Sequence, residues 1–220
     1  MKLIAAFSGG KDSTAMLLMM IERDMQIDDI VYVDTTKDFP AMYDHIDKVA
    51  EYIRPLAITR LSFDFEWYLA EKPITRGTRK GQKGYGWSHM NRRWCTRLKL
   101  DLIKKHVANV ERLEYIGLAY DEKRRMKDNP IKAYPLIDWQ ITQRQALDYC
   151  LSKGFDWGGL YNHFDRVSCY CCPLQSIGNF RMLYRHYPDQ WQDIKDMDKK
   201  SYCWFHKYYT LEGLEQRFNN

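Results

Sequence analysis

A chain of 220 residues with 45% hydrophobic and 15% aromatic content can bury a real core, which excludes a disordered polypeptide and suits one α/β domain with a small appendage. Lysine and arginine total 34 against 29 aspartate and glutamate, a balance of +5, too mild to require a nucleic-acid partner on its own. No run of about 18 apolar residues occurs, so no membrane span is expected, and the absence of an apolar leader before the first strand makes a cytoplasmic location the expectation.

In chain order, Leu3 to Phe7 reads as a strand, followed by "SGGKDS" at residues 8–13 and a helix from about Asp12 to Arg23. Met16, Met19 and Met20 in that helix read as core. A second strand covers Asp29 to Asp34, and Met42, Ile46, Val49 and Ile53 recur with helical spacing before an apolar run near Leu56 to Leu61. Strands separated by helices predict βαβ units on a parallel twisted sheet with helices on both faces.

Residues 71–93 break the rhythm with glycines and basic residues and read as a mobile loop. A helix resumes from about Thr96 to Val107, with His106 on its surface, and the run Glu114 to Leu118 reads as a buried strand ending at a glycine, Gly117. Past Asn129-Pro130, a Thr142-capped helix runs to Leu151 and stops at Gly154, with Cys150 read as a buried cysteine, before an aromatic segment and two more helical stretches. This predicts a nucleotide-binding α/β domain over residues 1–130. Residues 131–220 form a helical, cysteine-containing region packed on the same domain.

The turn after the first strand carries the first chemistry. Backbone N–H groups at a helix N-terminus, two glycines and a lysine make a phosphate cradle. The spacing departs from G-x-x-x-x-G-K-[ST], so it is not a Walker loop. Six cysteines are expected to stay reduced in a cytosolic chain, and three crowd into Cys169-Tyr170-Cys171-Cys172. Cys169 and Cys172 have the C-x-x-C spacing of metal ligands, and Cys95 in "RRWCTRLK" is a plausible third. Cys171, Cys203 or no protein residue could complete the set. An iron–sulfur cluster, a four-cysteine zinc site and unliganded thiols all stay open. Basic residues between Arg76 and Lys99 interleave with Tyr85, Trp87, His89 and Trp94, a mixture that suits phosphate contacts with base stacking and equally a solvated loop with aromatics folded onto the core.

"SGGKDS" resembles the PP-loop of the N-type ATP pyrophosphatase superfamily, whose fold is adenine nucleotide alpha hydrolase-like. The segments "VYVDTTKDFPAMYDHI" and "GLAYDEKRR" resemble its phosphoadenosine phosphosulfate (PAPS) reductase branch, and the whole pattern is similar to phage and bacterial members related to DNA phosphorothioation enzymes. The resemblance implies that Ser8, Gly9, Gly10, Lys11, Asp12 and Ser13 cradle ATP phosphates, with Mg²⁺ and pyrophosphate handled at Asp12. It implies that Asp34, Thr35, Thr36, Gly117 and Asp121 line the nucleotide site and that Arg125 acts with Lys11 and Asp12 in catalysis, although Asp121 to Arg125 also reads as a solvated charge run.

In that branch cysteines from two such segments hold a [4Fe-4S] cluster, which would fall to Cys95, Cys169, Cys172 and Cys171 here, zinc being the competing metal. Three thiolates with an open iron would suit sulfur transfer. A sulfonucleotide reductase needs a nucleophilic cysteine in a Glu-Cys-Gly context, whereas these residues close on "LEGLEQRFNN". The expectation is therefore ATP cleavage between the α- and β-phosphates to adenylate an acceptor, followed by sulfur transfer. The partners implied are a nucleotide substrate, a tRNA or DNA acceptor and a sulfur-donor protein such as a cysteine desulfurase. A reductase or a nucleotide-binding protein without turnover are the alternatives.

Overall fold

The computed structural model describes residues 1–108 and 110–219. Five strands, β1 (Lys2–Ala6), β2 (Asp29–Asp34), β3 (Ile58–Ser62), β4 (Arg112–Ile116) and β5 (Lys132–Ala133), form one sheet in the order β3-β2-β1-β4-β5. The pairs β1/β2, β1/β4 and β4/β5 are parallel. The α/β parallel-sheet reading therefore holds. Ile30, Val31, Tyr32 and Val33 are all buried, as a strand covered on both faces must be.

From β1 the chain steps outward through β2 to β3, then returns to the other side of β1 as β4. That reversal is a topological switch point, and in open parallel sheets ligands settle outside the carboxyl ends of the strands there. The glycine turn after β1 and Gly117 after β4 both lie at those ends.

The described residues divide into two compact units, each assembled from separate stretches of chain. The first comprises residues 1–34, 40–61 and 102–162. It holds the sheet, α1 (Lys11–Glu22), α2 (Pro40–Tyr52), the end of α3 (Trp94–His106), α4 (Pro135–Asp138) and α5 (Gln143–Ser152). Helix α1 is apolar almost all round, and Met16, Met19 and Met20 are core residues, the burial expected of a helix with no polar stripe. Thr142 caps α5 through a reciprocal pair with Gln145, and Gly154 follows at φ 83°, so both predicted ends of that helix are found.

The second unit comprises residues 35–39, 62–101 and 163–220. It contains α6 (Ile177–His186), α7 (Pro188–Lys200) and α8 (Leu211–Asn219) around Phe180, Trp191, Phe205 and Phe218, all buried. The stretch expected to be a mobile loop is tied down instead. Ile74 N–H donates to the Gln82 carbonyl, and Gly86 N–H donates to Leu69, each at 2.9 Å. Trp87 is wholly buried, with its indole N–H on Asp198 at 2.6 Å. Trp94 is buried with its N–H on the Gly86 carbonyl. These rings act as core anchors, which is why a glycine-rich segment is held without helix or strand. No helix among the described residues is long and apolar enough to cross a membrane.

Candidate phosphate loop and cysteine cavity

In the first unit the turn after β1 is shaped by Gly9 at φ 76°, where a Cβ would lie 2.8 Å from Met42 Sδ. Only glycine meets both demands. Ser13 Oγ closes the turn, lying 3.1 Å from Ser8 N, 3.0 Å from Ser8 Oγ and 3.0 Å from the Gly10 carbonyl oxygen. Ser8, Gly9, Gly10, Lys11, Asp12 and Ser13 therefore do form one structured loop at a helix N-terminus, the backbone arrangement suited to anions.

Residues far away in sequence hold this loop. The Trp157 indole N–H donates to the Gly9 carbonyl at 2.7 Å, and the Lys11 N–H donates to Tyr161 Oη at 2.8 Å. Cys150, buried as expected, points its thiol at the Lys11 carbonyl at 3.6 Å. Thr14 Oγ1 is 3.0 Å from His45 Nε2, and the His45 ring stacks on Trp157 at 4.3 Å. Burial drives the His45 pKa down to about 3, so it packs as a neutral ring.

The Lys11 ammonium is buried, 3.3 Å from Gln143 Oε1 and 3.6 Å from Asp12 Oδ2. Gln143 in turn donates from its backbone and side chain to Asp121, at 3.0 and 3.2 Å. Burial raises the Asp12 pKa against the pull of Lys11, and the charges of Glu122 and Asp121 add to the rise. Asp12 Oδ1 is buried with no hydrogen-bond partner, an orphaned carboxylate oxygen that fits a divalent cation such as Mg²⁺. Gln143, Trp157, Tyr161 and His45 pack around the candidate loop and are absent from the sequence reading.

The other nucleotide candidates are distributed unevenly. Asp34 ends β2 and accepts from Tyr43 Oη at 2.9 Å. At Gly117 a Cβ would lie 2.6 Å from Ser13 Cα and 2.8 Å from Ser13 N, so its missing side chain admits the backbone of α1. Gly117→Ala should therefore cost about 1–3 kcal/mol and loosen the loop. A thermal melt and an ATP titration check this, and wild-type values in both would show that the close approach has no consequence. Arg125 is exposed on the short 3-10 turn Tyr120–Arg125 and pairs with Glu122.

Thr35 and Thr36 belong to the second unit, where Thr35 Oγ1 is 3.0 Å from Cys169 Sγ. Thr36 sits at φ 61°, a strained backbone for a β-branched residue. Here Cys95, Cys169, Cys171 and Cys172 line one cavity of about 600 Å³ with Lys99, Arg93 and Arg166. The C-x-x-C turn is closed by Cys172 N–H donating to the Cys169 carbonyl at 3.1 Å, and Gln175 Nε2 donates to the carbonyls of Cys169 and Tyr170. Cys95 Sγ is 3.2 Å from Ser88 Oγ. Cys203 lines a different cavity.

Burial pushes the Cys169, Cys171 and Cys172 thiols up. Lys99 resists its own burial: Cys169, Asp38, Cys95 and Cys172 around it hold its pKa above the usual value. Four sulfur donors beside a retained ammonium fit a thiophilic metal centre in chemistry. Among the described residues, no three metal-ligating side chains converge closely enough to form a metal shell as they stand.

Two uncharacterized proteins of Methanocaldococcus jannaschii are similar to this chain. One is 28% identical over 205 residues, covering 86% of this chain and 40% of the relative; the other is 26% identical over 208 residues, covering 86% and 46%. The chain thus spans less than half the length of either relative. The phosphoadenosine phosphosulfate reductase domain matches residues 2–175, and with its parallel sheet and glycine turn after β1 the chain belongs to that PP-loop-related family.

Proposed function

We propose that this chain is an ATP-cleaving PP-loop enzyme that adenylates an acceptor for sulfur transfer. The observation that carries the reading is the pairing of the buried Lys11 ammonium with an Asp12 carboxylate whose second oxygen has no protein partner. Lys11 and the loop amides bind the phosphates and offset charge as it develops on the departing pyrophosphate. An acceptor oxygen attacks the α-phosphorus, the bond to the bridging oxygen breaks and pyrophosphate leaves. Mg²⁺, held by Asp12, would neutralise phosphate charge when bound.

The acceptor is a nucleic acid or nucleotide. Sulfur at the sulfide level, supplied by a donor protein, then displaces AMP from it. Cys95, Cys169 and Cys172, with Cys171 as a fourth donor, are the residues that would hold an iron–sulfur cluster, which when bound would supply a thiophilic redox centre. Thr35 and Ser88 fix the orientation of two of these thiols by hydrogen bonds.

Incubation with ATP, Mg²⁺ and candidate acceptors should release pyrophosphate, and its absence with every acceptor would favour nucleotide binding alone. The family match also supports a sulfonucleotide reductase as second reading; sulfite release from PAPS with a thiol donor would establish it. For the cysteines, Cys172→Ser should lose metal, measured as iron and zinc per chain after anaerobic purification, while far-ultraviolet circular dichroism stays unchanged. Equal metal content in that variant would remove Cys172 from the ligand set.

A further inference from the structure

The second unit exposes a group of large rings that its core does not use. Trp204 and Tyr208 are 63% and 68% exposed, and with the exposed Tyr202, Met90 and Leu174 they line a cavity of about 820 Å³. A cluster of this kind on a folded surface marks a binding site more often than chance exposure does.

Cations stand beside the rings. Lys207 Nζ is 4.8 Å from the Tyr208 ring centroid, and the Arg92 guanidinium is 5.5 Å from that of Tyr202. Among the described residues no carboxylate lines this cavity, so no lining side chain repels a polyanion and none offers a basic peptide an ion pair. Met90, Pro173 and Leu174 line both this groove and the cysteine cavity, so the two adjoin within the unit.

We propose that this groove holds single-stranded nucleic acid. Bases stack on Trp204 and Tyr208, phosphates meet Arg92 and Lys207, and the strand runs past Met90 and Leu174 toward the cysteines. Open ring faces flanked by cations are what a single strand uses, because its bases are free to stack, whereas a duplex hides them. The assignment rests on the proposed sulfur-transfer reading and narrows its acceptor to a polymer.

The test is fluorescence anisotropy of the full chain with labelled 20-nucleotide single-stranded DNA, RNA of the same sequence and the matching duplex DNA, without ATP. Single strands should bind more tightly than duplex, and the W204A/Y208A double variant should bind them at least about tenfold more weakly. Lys207→Ala should lower the slope of log affinity against log salt by about 0.7. Tight binding of DNA or of RNA supports the assignment and identifies the polymer.

Equal or tighter binding of duplex, or wild-type affinity in the double variant, overturns it. So does failure to bind either strand at low salt, which would leave the groove to a polypeptide. Pyrophosphate release is measured separately: a chain that binds strands but does not cleave ATP contradicts the proposed reaction and not this groove.

Discussion

Lys11→Ala should reduce pyrophosphate release from ATP by at least about 100-fold, the scale seen when one preorganised group facing developing charge is removed. The Lys11 ammonium is buried, paired with Asp12 and Gln143, so it is oriented before any nucleotide arrives. Its removal also leaves the Asp12 carboxylate facing the charges of Glu122 and Asp121 without compensation. Nucleotide affinity should fall together with turnover. The check is a steady-state assay for both, with circular dichroism to establish that the variant is folded; unchanged affinity and turnover would count against the loop as the site.

Trp157→Ala should be the most destabilising change around the loop. Trp157 is 1% exposed, and truncating a buried tryptophan costs about 3–5 kcal/mol. At about 2–4 °C per kcal/mol for a chain of this size, the melting temperature should fall by roughly 6–20 °C. The Gly9 carbonyl would lose its indole donor, and His45 would lose the ring on which it stacks. Trp157→Phe keeps a ring but not the N–H, so it should cost less in stability while still weakening ATP binding. A melting temperature for Trp157→Ala within about 2 °C of wild type would show that the indole does not anchor the turn.

The sheet, α1 and the capped α5 were legible because their signals are local. Apolar runs, helical spacing, Thr142 and Gly154 act on their own neighbours. "SGGKDS" was legible for the same reason, since strand, glycine turn and helix start are consecutive. What surrounds the loop was not. Gln143, Trp157 and Tyr161 approach it from more than a hundred positions away, through tertiary packing that leaves no periodic trace. The one local hint is "WGG", where Trp157, Gly158 and Gly159 all take positive φ, an unusual turn that demands a reason.

Aromatic interleaving leaves two readings open, a stacking surface and rings folded onto the core. Trp87 and Trp94 follow basic residues as a stacking surface would, yet both are core, because composition does not say which way a ring points. Among the described residues the most exposed tryptophan and tyrosine are Trp204 and Tyr208, in a stretch whose sequence gives no periodic cue. The cysteines were better signposted: Cys95 and the Cys169–Cys172 turn do line one cavity. Thr35, read as a nucleotide contact, lies 3.0 Å from Cys169 Sγ.

Which bond of ATP breaks decides whether the loop serves adenylation. ATP labelled at the α- and γ-phosphorus, incubated with the chain, Mg²⁺ and an acceptor, should place the α label in AMP or the adenylated acceptor and the γ label in pyrophosphate. A γ label found in orthophosphate with the α label in ADP would contradict the account, because the loop would then be serving β–γ cleavage.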